Sequence, residues 1–135
     1  MTDKLHLKIT THEKTVFDSD VEEIYLKGSQ GEFGILPNHI PFMSPLEIGV
    51  AKVITGGKPQ FFTVMGGIFQ LKDNEAMVLT QTAENAEEID IERAKEAKQR
   101  ALERLNEKNS DIDVQRAEMA LSKALARIKA KNVNA

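Results

Sequence analysis

The sequence predicts an α+β chain, with an N-terminal all-β sandwich or barrel of about eight to ten short strands and then a C-terminal antiparallel hairpin of two helices. Two observations carry this. All eight glycines, all four prolines and all seven aromatics (six Phe and one Tyr) precede residue 70, while all five arginines follow residue 84. The apolar period also changes, from two in the first part to that of a helix in the second. The predicted boundary is at Glu84, giving a sandwich over 1–84 and a hairpin over 85–135.

In the first part, Leu5, Leu7 and Ile9 alternate, as do Ile24 and Leu26, Phe62 and Val64, and Met77 and Leu79. Period two places alternate side chains on opposite faces of a strand. Gly28-Ser29-Gln30-Gly31, Pro37-Asn38, Gly56-Gly57-Lys58-Pro59 and Asp73-Asn74 separate the runs. Thr55-Gly56-Gly57-Lys58 reads as a hairpin turn, because glycine accepts the positive φ that such turns require.

From Ile89 onward, Ile91, Ala94, Ala101 and Leu105 share one helical face, and Ala117, Leu121, Ala124 and Ile128 another. Asn109-Ser110-Asp111 supplies turn and N-cap chemistry between them. Each helix is expected to run about 17 residues, or roughly 26 Å. Ile89-Asp90-Ile91-Glu92-Arg93-Ala94 recurs as Ile112-Asp113-Val114-Gln115-Arg116-Ala117, so both helices start alike. Buried alanines contribute only about 0.8 kcal/mol each, against about 1.5–3 for leucine. The hairpin is therefore expected to be marginal alone and open to a competing partner.

Composition excludes several functions. With no cysteine there is no disulfide, thiolate metal site or cysteine nucleophile. A net charge of −3 lacks the basic field a nucleic-acid binder needs. No apolar run approaches the roughly 20 residues of a membrane-spanning helix, and charges through the first twenty residues leave no leader, so a soluble chain is expected. His6, His12 and His39 lack metal-cluster spacing and no nucleophile adjoins them, so neither a catalytic residue nor a metal site is expected. Gly28 to Gly34 has glycines at period three, but prolines follow instead of a helix, which argues against a phosphate loop. Arg93, Arg100, Arg104, Lys123 and Arg127 fit either a solvated surface with Glu partners or an anion site, for phosphates or for an acidic partner segment.

The string Gly28-Ser-Gln-Gly-Glu-Phe-Gly-Ile-Leu-Pro-Asn-His39, Gly66-Gly67 read as a strand entry, and Ile89-Asp90-x-x-Arg93-Ala94 opening an Ala-rich helix pair together resemble the epsilon subunit of bacterial F-type ATP synthases. Met65 stands where family members often have Ser. The resemblance implies a non-catalytic central-stalk subunit of a proton-translocating rotary ATP synthase, peripheral on the cytoplasmic face of the bacterial cell membrane without lipid insertion. It implies that the first part is a β-sandwich of about ten short strands that grips gamma, and that Gly31, Glu32 and His39 face the c-ring. It further implies a mobile hairpin that, when extended, inhibits ATP hydrolysis through contacts of Lys123, Arg127 and Lys129 with the alpha and beta subunits. Folded, the hairpin would bind ATP without hydrolysing it, with or without magnesium. Glu84, Asp90, Arg93 and Ala94 would lie at the adenosine end, and Arg100, Lys123 and Arg127 toward the phosphates. The alternative from another class is a free-standing ATP-binding sensor module.

Overall fold

The computed structural model describes residues 4–107 and 111–134, and in the last helix side chains from residue 114 onward. Eight strands form one continuous sheet: β1 (Leu5–Thr10), β2 (Thr15–Val21), β3 (Glu23–Gly28), β4 (Gly31–Ile35), β5 (Phe42–Thr55), β6 (Lys58–Lys72), β7 (Glu75–Leu79) and β8 (Ala83–Asn85). Their order is β2-β1-β7-β6-β5-β3-β4, with β8 added to β6. The β1–β7 pair is parallel and the other pairs are antiparallel.

Strand length departs from the sequence expectation. β5 and β6 run 14 and 15 residues, and each serves both layers of the sandwich. β5 pairs with β3 mainly through Lys52, Val53 and Ile54 and once more at Leu46, the first half of β6 pairs with β8, and the second half of β6 pairs with β7. The ladder between them is interrupted at Glu47 opposite Gly66, where Gly66 and Gly67 have φ of 79° and 116°. The glycine pair is therefore a bend inside a strand and not a strand entry. Counting each long strand once per layer turns the eight into ten segments.

Local chemistry explains the turns. Gly56 and Gly57 both have positive φ, and the Glu22 carboxylate accepts from both of their N–H groups. Asp73 and Asn74 also adopt positive φ, as short polar side chains tolerate, and they close the β6–β7 turn. Between the layers lie Leu5, Leu7, Ile9, Ile24, Val53, Phe69 and Val78, each wholly buried. Phe17 meets Phe62 edge to face at 5.3 Å.

After β8 a single 3-10 turn (Ala86–Glu88) leads into α1 (Ile91–Asn106), and α2 (Asp111–Asn134) returns. Asp90 caps α1, its Oδ1 accepting from the N–H groups of Glu92 at 3.0 Å and Arg93 at 3.2 Å. The expected turn at Asn109-Ser110 lies outside the described residues, and α2 is longer than α1, at 24 residues against 16. Ala94 and Ala101 on α1 and Ala117 and Ala124 on α2 are buried, each pair seven residues apart on one face. On a different face of α2, Ala130 is buried with Ala86 and Ile89 against Val50 and Phe61 of the sheet. Alanines on two faces let α2 lie close both to its partner helix and to the sandwich.

On β1, His6 lies between two carboxylates of β2: Nδ1 is 2.9 Å from Asp20 and Nε2 is 2.5 Å from Asp18. A neutral imidazole has one N–H, so both bonds need the cation. The bond to Asp20, and then that to Asp18, raises the His6 pKa above its ordinary 6.5, with Glu75 of β7 adding to the attraction. A raised folded-state value stabilises the protein fully below pH 6.5 and ceases to do so as pH rises through that value. The urea midpoint should accordingly fall between pH 6 and pH 8, and His6→Asn should remove that part of the fall. An unchanged pH slope in the variant would show that the pair contributes nothing to stability.

Candidate functional site

The chain between β8 and α1 lies against both helices, and a cavity of about 340 Å³ opens there, within the usual range for small-molecule sites. Glu84 of β8, Glu88 and Ile89 of the connection, the cap residue Asp90, and Arg93, Ala94, Ala97 and Arg100 of α1 line it, and Arg127 enters from α2. Six of the seven residues expected to hold ATP thus share one cavity. Arg93 and Arg100, seven residues apart, fall on the same helical face. Ala94 and Ala97 leave room beside them, since neither has atoms beyond Cβ.

Lys123 is placed elsewhere. Its Nζ lies 3.4 Å from Gln81 Oε1, and it lines a cleft between α2 and the bend of β5 and β6. It belongs to a ladder. Arg127 Nε donates to Glu84 Oε1 at 2.6 Å, and Lys131 Nζ to the Glu87 carbonyl at 3.2 Å. Cations at steps of four on α2 thus match acceptors at steps of three in residues 81–87, fastening α2 to the segment that joins sandwich to hairpin. The Arg127–Glu84 pair is partly exposed, at 30% and 37% of the side chains, so it is a weak fastening. Lys129 is exposed and stands at the rim of two depressions beside α2.

Gly31 and Glu32 are exposed at the β3–β4 turn, and His39 lies in the loop after β4. The Phe42 ring stands between those of Phe33 and His39, at 5.1 and 6.0 Å, and folds this loop back along β4. Next to it the outer face of β5, β6 and β7 carries an exposed apolar patch, interrupted by Gln70, which lies opposite both Met43 and Met77. Met43, Ile68, Met77 and Leu79 are exposed at register positions that share one face of β5, β6 and β7. Period two in the sequence marks these residues as alternating but cannot say which face turns to solvent. Glu88, Ala97, Gln81 and the Leu79 face were missed by sequence reasoning for want of a local signal. Among the described residues no group of His, Asp and Glu could hold a metal ion, and no helix is long and apolar enough to cross a membrane.

Fold and site together define a β-sandwich carrying a docked helical hairpin with a mixed-charge cavity beneath it. Residues 4–86 match the family model described as ATP synthase, Delta/Epsilon chain, beta-sandwich domain, and residues 87–132 match the long alpha-helix domain of the same chain. The ATP synthase epsilon chain of Nitratidesulfovibrio vulgaris (strain DP4) is 46% identical over 105 residues, covering 78% of each chain. That of Desulforamulus reducens is 48% identical over 100 residues, 74% of this chain and 76% of the relative, and that of Bacillus subtilis (strain 168) is 42% identical over the same coverage. A chain in the cryo-EM structure of the Euglena gracilis mitochondrial ATP synthase has the same fold, with a TM-score of 0.84 at 24% identity over 96% of this chain and 82% of that one. The chain belongs to the delta/epsilon family of ATP synthase chains, as a non-catalytic epsilon-type subunit.

Proposed function

We propose that the chain is a central-stalk subunit whose sandwich couples gamma to the c-ring and whose hairpin inhibits ATP hydrolysis when it extends and binds ATP when folded. The observation that carries the regulatory part is the cavity in which Arg93, Arg100 and Arg127 converge from two helices beside Glu84. An anion there contacts both helices and the sandwich edge at once, so it is bound only while the hairpin is down. Guanidinium groups suit phosphate oxygens, and Ile89 with the two alanines offers an apolar wall to a base. ATP at about 100 times its dissociation constant would stabilise the folded state by ~2.7 kcal/mol, short of the ~5.5 needed to reverse a 1:99 population. ATP therefore biases the switch and partner contacts complete it.

The exposed Met43, Ile68, Met77 and Leu79 face supports the coupling part, since an apolar patch of this kind marks a protein interface. Gamma is the partner proposed for it, with Gly31, Glu32 and His39 turned to the c-ring and the subunit peripheral on the cytoplasmic side of the membrane. On extension, Lys123 and Arg127 leave Gln81 and Glu84 and, with Lys129, meet acidic segments of alpha and beta.

The test is ATP hydrolysis by an epsilon-depleted catalytic complex titrated with the full chain and with a chain ending at Glu88. The main core is drawn entirely from residues 5–83, so the shorter chain retains it. Both should bind, and only the full chain should suppress hydrolysis. Binding of neither would remove the stalk reading and leave the free-standing ATP-binding sensor. Binding of both with equal suppression would take inhibition away from the hairpin.

A further inference from the structure

Three carboxylates line the cavity, and two already hold protein groups. Glu84 Oε1 accepts from Arg127 at 2.6 Å, and Asp90 Oδ1 accepts two backbone N–H groups of α1. The Glu88 side chain, also lining the cavity, makes no hydrogen bond or ion pair among the described residues. Its backbone is nonetheless fixed, since Ala86 and Ile89 on either side are 0% and 4% exposed and the Ile89 N–H donates to the Ala86 carbonyl at 3.2 Å. The carboxylate therefore stands on an anchored backbone at the edge of the cavity, exposed and with no protein donor holding it.

The cavity is also polarised. Arg93 stands only three residues along α1 from Asp90 and Arg127 is paired with Glu84, but Arg100 lies ten residues along, about 15 Å at 1.5 Å per residue, so the Arg100 end and the Glu88 end are well separated. Phosphates are attracted to the first and repelled from the second, leaving the nucleoside to face Glu88.

We propose that Glu88 is the nucleoside-reading residue of this cavity, accepting a hydrogen bond from a neutral donor of the ligand, either an exocyclic amine of the base or the ribose 2′-hydroxyl. This rests on the nucleotide reading given above. A carboxylate suits that task because it accepts from such donors and rejects a phosphate in the same place.

Calorimetric titration of the full chain without divalent metal, using ATP, inosine triphosphate, 2′-deoxy-ATP and inorganic tripolyphosphate, tests it. Glu88→Ala should weaken ATP binding about tenfold or more, as for a lost bond to a charged acceptor, and leave tripolyphosphate binding unchanged or tighter. Glu88→Gln, which keeps a carbonyl acceptor, should recover part of the loss, and Glu87→Ala should change nothing. In the wild type, weaker binding of inosine triphosphate identifies the amine as the donor, and weaker binding of 2′-deoxy-ATP the hydroxyl. Equal binding of all three nucleotides, or equal losses for ATP and tripolyphosphate in Glu88→Ala, would overturn the assignment. Failure of the underlying reading looks different: the wild type would bind neither ATP nor tripolyphosphate.

Discussion

Gly67→Ala should destabilise the sandwich by about 3–5 kcal/mol, combining strain at a positive φ with an overlap that the backbone must move to relieve. A Cβ at residue 67 would stand 2.0 Å from the Leu79 carbonyl oxygen, and Gly67 itself has φ of 116°. Gly31 offers a matched control, because its φ is 115° and no atom lies within 4 Å of the Cβ it would gain. Gly31→Ala should cost only the strain, about 1–3 kcal/mol. Urea unfolding followed by circular dichroism measures both, and equal losses at the two positions would show that the β6–β7 contact yields freely. The effect is large because β6 belongs to both layers, so its bend cannot relax in one without disturbing the other.

The second large effect is on ligand binding. Arg93→Ala and Arg100→Ala should each weaken ATP binding by about thirtyfold or more, as when one partner of a charged pair is truncated, with stability changed by no more than about 0.5 kcal/mol. Both side chains are exposed and neither forms an ion pair among the described residues, so no protein partner is orphaned by their removal. Lys123→Ala should leave ATP affinity near the wild-type value, since that side chain is held by Gln81 away from the cavity. ATP affinity unaltered by both arginine variants would remove the cavity as the nucleotide site. A loss in Lys123→Ala as great as theirs would mean that α2 shifts on binding.

Much of the site was legible because it is local. Spacing makes Asp90 an N-cap and puts Arg93 and Arg100 on one helical face, leaving a solvated surface and an anion site both open, and it was the family resemblance that named all three as ATP-site residues. The same arithmetic treats Lys123 and Arg127 as equivalents, four residues apart. Docking separates them: one turn of helix carries Arg127 onto Glu84 and leaves Lys123 beside Gln81. The pairing of His6 with Asp18 and Asp20 has the same origin, since it depends on the β1–β2 register, in which His6 lies opposite Asp20.

Taken alone, the sequence determined the fold class, the change from sandwich to hairpin, the capped start of α1 and the alanine faces that let helices approach, because periodicity and capping act over a few residues. Only the tertiary structure decided that Gly66 and Gly67 bend one strand through two layers, and that Glu84 is occupied while Glu88 is left free. Arg127 and Glu84 lie 43 residues apart, and their meeting depends on where α2 settles on the sheet, which no local pattern encodes.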